Sequence, residues 1–232
     1  MFKNPIFCAV DRPDLEGALA LARAVAPHVG GIKLGLEFFT AQGPAGVEAL
    51  RALDLPIFLD LKFHDIPNTV AGAVREAAGL GVAMLTLHAA GGRAMLEAAA
   101  EAAAGAATRP WLLGVTVLTS LDAADLAATG IGAPPAEQAL KLGELAMASG
   151  LDGLVCSAQE ITVLRQGLGP RPRLVVPGIR PSTAGDDQKR TMGPAQALAL
   201  GADVLVIGRP ITLAPAPAEA AAAITSGLRE AA

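Results

Sequence analysis

Eight short apolar runs, each followed by a stretch with helical spacing or by turn residues, constrain the fold of this 232-residue chain more than any other feature. The runs are Ile6 to Val10, Gly31 to Gly35, Pro56 to Lys62 and Val82 to His88, then Trp111 to Leu118, Gly153 to Cys156, Arg173 to Val176 and Asp203 to Ile207. Near-continuous apolar runs of this length read as strands buried on both faces, the pattern of a parallel sheet. Helical spacing follows over Pro13 to about Ala26, where Leu15, Leu19 and Ala22 share one stripe, and over Glu37 to Leu53, with a break expected at Gly43-Pro44. It returns over Pro67 to Leu80, from Gly91-Gly92 to near Gly105, and over Pro135 to Ser149, Ala158 to about Gln166 and Gly193 to Leu200, and in the Ala-rich C-terminal segment. Residues 121 to 134 form a longer excursion with room for a short helix.

Strict alternation of strand and helix, over a length close to the ~250 residues typical of the architecture, predicts an α/β protein: a single (β/α)8 TIM-barrel domain over residues 1–232. An open doubly wound sheet is the alternative. The absence of a Gly-rich dinucleotide fingerprint after the first strand counts against it. No composition break or linker divides the chain. The net charge of -4 is spread along it, without the basic stripe of a nucleic-acid binder. Cys8 and Cys156 lie far apart inside apolar runs and read as buried, reduced thiols, which fits a cytoplasmic protein. The N-terminal residues lead straight into a strand rather than a signal peptide, and no apolar run is long enough for a membrane span.

Active sites of barrels sit at the C-terminal ends of the strands. Here those ends hold Asp11, Lys33, Asp60 with Lys62, His88, Thr119, Ser157, Gly178 with Arg180, and Gly208 with Arg209. The densest group is the decapeptide Asp60 to Thr69, DLKFHDIPNT. Residues two apart in a strand share a face, so Asp60 and Lys62 are expected to point together. Pro67 fits the first turn of the next helix, which leaves Asp65 on the intervening loop. Two carboxylates and an ammonium are expensive to assemble for packing alone, although a structural ion pair with a helix-capping Asp is the bland alternative.

The last two strands repeat one chemical unit: Val176-Pro177-Gly178-Ile179-Arg180 and Ile207-Gly208-Arg209-Pro210. Glycine admits close approach of backbone N–H groups, and arginine adds a planar donor fork, so the pair predicts a phosphate site. Ordinary turns with exposed arginines are the alternative. Residues 180 to 190 are long and polar for a plain turn and predict a lid over the ligand. Asp60, His64 and His88 can be imagined as metal ligands, but Lys33 and Lys62 bring ammonium groups to the same place, and no metal is expected.

These residues carry a resemblance. DLKFHDIPNT resembles the signature of the orotidine 5′-phosphate decarboxylases. The similarity extends to Ala9-Val10-Asp11, Gly31-Ile32-Lys33, His88 to Gly92, Val115 to Ser120, Val176 to Pro181 and Ile207 to Pro210. The resemblance implies a cofactor-independent lyase of pyrimidine (UMP) biosynthesis that converts orotidine 5′-phosphate to uridine 5′-phosphate. It implies a catalytic network of Lys33, Asp60, Lys62 and Asp65, with Lys62 as proton donor, and a homodimer in which Asp65 reaches the neighbouring subunit's site. Asp11, Lys33 and Thr69 match ribose-contacting positions, and Thr119 and Ser120 the loop over the pyrimidine. Gln188, Gly208 and Arg209 match the phosphate grip, with Arg180 at the start of the phosphate loop. A Mg2+-dependent sugar-phosphate decarboxylase or aldolase of the same superfamily is the nearest alternative; it usually carries an acidic residue where this chain has Lys33. A non-catalytic phosphate-ligand binding barrel is the alternative of another class.

Overall fold

The computed structural model describes residues 2–180 and 192–230, the last two of these by backbone alone. Eight parallel strands close into a barrel in sequence order. They are β1 (Ile6–Ala9), β2 (Gly31–Leu34), β3 (Ile57–Phe63), β4 (Met84–His88), β5 (Trp111–Val115), β6 (Gly153–Val155), β7 (Arg173–Pro177) and β8 (Val204–Ile207). Closure is made by β8 on β1, with Phe7 opposite Val206. The open-sheet alternative is thereby excluded.

The helices are α1 (Leu15–Val25), α2 (Leu36–Arg51), α3 (Pro67–Gly79), α4 (Arg93–Ala104), α5 (Ala123–Ala128), α6 (Pro135–Ala148), α7 (Ile161–Leu168), α8 (Pro194–Ala199), α9 (Arg209–Thr212) and α10 (Pro217–Glu230). Their starts follow local chemistry. Asp14 caps α1 by accepting from the Gly17 N–H at 2.6 Å, and α3 opens on Pro67, where a missing N–H costs nothing. The expected break in α2 is present: Gly43 takes φ +59 immediately before Pro44. In the 121–134 excursion, Asp122 and Asp125 cap α5 reciprocally. The short α9 directly after β8 was not expected from the sequence.

The fifth strand is shorter than the apolar run Trp111 to Leu118 suggested. Its neighbour β6 has only three residues, so beyond Val115 no ladder partner remains on that side. Thr116 instead bonds the Val155 carbonyl through both its N–H and its hydroxyl, each at 3.1 Å, and the chain turns away.

Alternation divides each strand between two cores. Phe7, Phe58, Met84, Leu113, Val175 and Val204 fill the barrel interior, and Phe2 packs edge-on against Phe7 and Trp111, at ring centroid distances of 4.9 and 5.0 Å. The opposite faces, with Ile6, Ile32, Leu59 and Leu85, pack under the helices. Each buried side chain of this size contributes about 1.5–3 kcal/mol, so the apolar layers supply most of the burial that favours the closed barrel. The charged positions above them need not contribute to that closure.

Candidate active site

The interior layer is apolar only up to mid-barrel. One step further along the same faces stand Lys33 on β2 and Asp60 and Lys62 on β3, directly above Gly31 and Phe58. Lys33 Nζ lies 3.0 Å from both carboxylate oxygens of Asp11 and 3.8 Å from Asp60 Oδ2. Lys62 Nζ lies 2.8 Å from Asp60 Oδ1. Charges therefore alternate along a row: Asp11, Lys33, Asp60, Lys62. Side-chain exposure is 36% for Asp11, 11% for Lys33, 13% for Asp60 and 27% for Lys62, so the middle of the row is largely removed from water and its pairings are poorly screened.

Local backbone features fit the row. Gly35 donates its N–H to Asp11 Oδ1 at 3.0 Å, and a Cβ there would come within 2.6 Å of that oxygen and 2.8 Å of Lys33 Nζ. At β3 the ladder to β4 changes register between Leu59 and Phe63, and Lys62 takes φ +52. A left-handed conformation costs a residue with a side chain about 1–2 kcal/mol. Thr86, fully buried on β4, accepts the Lys62 N–H at 2.9 Å and donates its hydroxyl to Asp60 Oδ1 at 2.9 Å.

The row borders a cavity of about 190 Å³ that opens to solvent. Lys33, Asp60 and Lys62 form one wall; Val115, Val155, Pro177 and Val206 line the rest, with Thr119 at the rim. Ser120, one residue on, is exposed and outside that lining. Cys156 also lines it, but burial pushes its thiol well above the ordinary range, with Glu160 adding to the effect, so it is no ready nucleophile. Cys8 is likewise buried and unbonded, its thiol pushed up to about 12.

Other expected site residues stand around the same mouth. Asp65 lies on the β3–α3 loop, exposed, accepting from the Ile66 N–H at 2.6 Å. Among the described residues it has no ion pair, and Lys62 receives a carboxylate only from Asp60. Ile66 beside it is 68% exposed. Thr69 is exposed in the first turn of α3. Gly178 follows β7 with φ +76, and buried Arg180 donates its N–H to the Met192 carbonyl at 3.1 Å. Gly208 joins β8 to α9, which exposed Arg209 opens. Gln188 and, beyond Arg180, the lid expected over residues 180 to 190 lie outside the described residues.

His88, at the end of β4, faces His64 with ring centroids 5.4 Å apart. Burial first, then His64 and Lys62, lower its pKa, with Asp60 opposing them. Among the described residues no three His, Cys, Asp or Glu side chains converge as metal ligands.

Comparison with known proteins decides the family. The family model "Orotidine 5'-phosphate decarboxylase / HUMPS family" matches residues 4–224. The chain is 53% identical to the orotidine 5′-phosphate decarboxylase of Anaeromyxobacter sp. (strain K), covering 96% of this chain and 97% of that one. It is 54% identical to the enzyme of the same name from Rhodospirillum rubrum, covering 95% and 92%.

The chain belongs to the orotidine 5′-phosphate decarboxylase / HUMPS family.

A solved family structure, orotidine 5′-phosphate decarboxylase from Lactobacillus acidophilus, superposes with a TM-score of 0.86 at 36% identity, covering 97% of this chain and 99% of that one. Sequence reasoning within the family pattern brought Asp11, Lys33, Asp60 and Lys62 to one place, and the geometry joins them. It missed Thr86. The signal was present: an unexpected hydroxyl in the apolar run Met84-Leu85-Thr86-Leu87, two residues before His88, on the barrel-facing side.

Proposed function

We propose that the chain decarboxylates orotidine 5′-phosphate to uridine 5′-phosphate without a cofactor, the last step of UMP synthesis. The observation that carries this reading is the alternating row Asp11–Lys33–Asp60–Lys62 set against an apolar cavity. Family membership and the names of relatives above 50% identity support it.

In the reaction the C6–carboxylate bond breaks, its electron pair stays on C6, and CO2 leaves. The resulting vinyl-type carbanion is poorly delocalised, so fixed charge must stabilise it. Lys62 supplies that charge and then passes a proton from Nζ to C6, being reprotonated from solvent. An ammonium about 4 Å from a full negative charge contributes ~4 kcal/mol at an effective dielectric of about 20, or roughly a thousandfold in rate. Enzymes lower barriers by ~8–23 kcal/mol, so Lys62 alone is insufficient. The remainder falls to preorganisation and to remote binding energy.

Asp60 aims the Lys62 ammonium and borders the departing carboxylate; Lys33 balances Asp60 and, with Asp11 and Thr69, holds the ribose. Thr119 and Ser120 cover the pyrimidine. Gln188, Gly208 and Arg209 grip the phosphate, with Arg180 at the start of the phosphate loop. The loop pair after strands seven and eight, with a short extra helix, is where phosphate recurs in this architecture, and α9 is such a helix. Asp65 completes the network from a second copy of the chain in a homodimer. Its lack of an ion pair among the described residues, and the exposed Ile66 beside it, support that part of the reading. Work on a small nucleotide in a reducing cytoplasm suits two buried free thiols, and no helix among the described residues is long and apolar enough to cross a membrane.

The sugar-phosphate alternative usually carries an acidic residue where Lys33 stands, and Lys33 is here committed to Asp11 and Asp60. The test is the loss of orotidine 5′-phosphate absorbance on adding EDTA-treated protein, with product identified by chromatography. Rapid loss with uridine 5′-phosphate appearing is the expected result. No turnover until Mg2+ and a keto-sugar phosphate are supplied would move the function to the alternative.

A further inference from the structure

The left-handed backbone at Lys62 sits at the end of the charge row, where β3 changes register against β4. The β3–β4 ladder loses register between Leu59 and Phe63, and there the Lys62 N–H meets a side chain of β4 rather than a paired strand position. Its partner is the Thr86 hydroxyl, at 2.9 Å. That bond uses a lone pair of Oγ1, which leaves the hydroxyl hydrogen to be donated to Asp60 Oδ1 at 2.9 Å. The same Asp60 oxygen receives Lys62 Nζ at 2.8 Å. A closed ring results: Lys62 backbone, Thr86 hydroxyl, Asp60 carboxylate, Lys62 ammonium. Thr86 is fully buried, so water cannot substitute for it without repacking.

We propose that Thr86 is a positioning residue for the proton donor: its single hydroxyl holds the Lys62 backbone in the left-handed conformation and fixes the rotamer of the carboxylate that aims the Lys62 ammonium. The proposal rests on the decarboxylase reading for its kinetic consequence, but not for the restraint itself. Thr86 does not touch the cavity. Its effect passes through two groups that do, and it distinguishes this site from one in which Asp60 and Lys62 are merely adjacent along a strand. A displacement of about 1 Å at a reacting group can cost of order a hundredfold in rate, so losing both hydrogen bonds should be felt in the chemical step rather than in binding.

The test compares Thr86→Val, which keeps the branched shape and removes the hydroxyl, with Thr86→Ser, which keeps the hydroxyl. On orotidine 5′-phosphate, Thr86→Val is expected to lower kcat by about ten- to a hundredfold with KM within about twofold of the parent, and Thr86→Ser to restore most of kcat. Amide hydrogen exchange at Lys62, read by NMR without substrate, should accelerate in Thr86→Val and stay slow in Thr86→Ser. If Thr86→Val does not fold, Thr86→Ala takes its place in both measurements. Unchanged kcat in the hydroxyl-free variant, equal losses in Val and Ser, or a loss confined to KM would overturn the proposal. A parent protein that does not turn over orotidine 5′-phosphate would sink the decarboxylase reading; exchange at Lys62 would then decide the restraint alone.

Discussion

The two ends of the barrel both carry charge partly removed from water, and they use it in opposite ways. At the N-terminal end, Asp203 accepts from the Leu174 N–H at 2.8 Å, from Arg165 at 2.7 Å and from Arg173 at 3.2 Å. Asp152 accepts from the Leu112 N–H at 2.8 Å and from Arg109 through both oxygens, at 2.8 and 2.9 Å. Arg165 spends its other donors on the carbonyls of Gly169, Pro172 and Gly201. Each carboxylate there staples neighbouring strand starts together, and planar guanidinium forks bind several acceptors at once. At the C-terminal end the cations in the row are lysines, compact point charges with few backbone bonds, and the row faces a cavity. Charge tied into backbone holds the fold; charge left facing space is available for chemistry.

Lys62→Ala is the sharpest way to break that distinction. Decarboxylation should fall at least a thousandfold, from the ~4 kcal/mol of charge stabilisation alone, while the melting temperature stays within a few degrees. Retained activity would remove Lys62 as proton donor; a collapse of stability would place it among the staples. Arg209→Ala comes next. It should weaken binding of the phosphorylated substrate by roughly ten- to a hundredfold, the worth of a hydrogen bond to a charged group, and leave a phosphate-free nucleoside substrate unaffected. Equal losses on both substrates would contradict the phosphate role.

Asp203→Ala reverses the pattern at the other end. Two arginines and a buried N–H lose their acceptor, so unfolding free energy should drop by about 2 kcal/mol, the site being a quarter exposed. Kinetic constants of the folded fraction should not move. Denaturant titration beside steady-state kinetics separates the two effects, and a kcat loss without a stability loss would dissolve the contrast between the ends.

Much of this was legible in the sequence, for a physical reason. A parallel barrel writes itself as apolar runs, and the architecture confines chemistry to their C-terminal ends, so position placed Asp11, Lys33, Asp60 and Lys62 among the strand-end candidates and the family resemblance singled them out. The staples were as readable but went unread: Gly150-Leu151-Asp152 and Gly201-Ala202-Asp203 are the same loop, each glycine at positive φ just before a strand-starting aspartate. Thr86 was harder. Its role depends on a register change in β3 that no residue pattern announces, and on a left-handed conformation at a lysine, which propensity disfavours. The stop of β5 at Val115 was also hidden, because it is set by the shortness of β6 rather than by the run's own composition.

His88 offers the finest test, because it stands at the C-terminal end without being part of the row. Burial, then His64, then Lys62 hold its pKa below the ordinary 6.5, with Asp60 acting the other way. A depressed histidine pKa means that the unfolded chain binds the proton first as pH falls, so the unfolded state gains relative to the folded one. The contribution of neutral His88 is full above about pH 6.5 and is lost as the pH drops through the lower folded value. His88→Gln should therefore flatten the acid side of the stability profile below about pH 6.5, measured as the difference in denaturation midpoint between parent and variant, with little change at pH 8. Parallel profiles would mean that His88 carries no such penalty. A variant that instead lost stability at pH 8 would show His88 to be a structural bond like those of the N-terminal end, and the division between stapling and free charge would no longer follow the two mouths of the barrel.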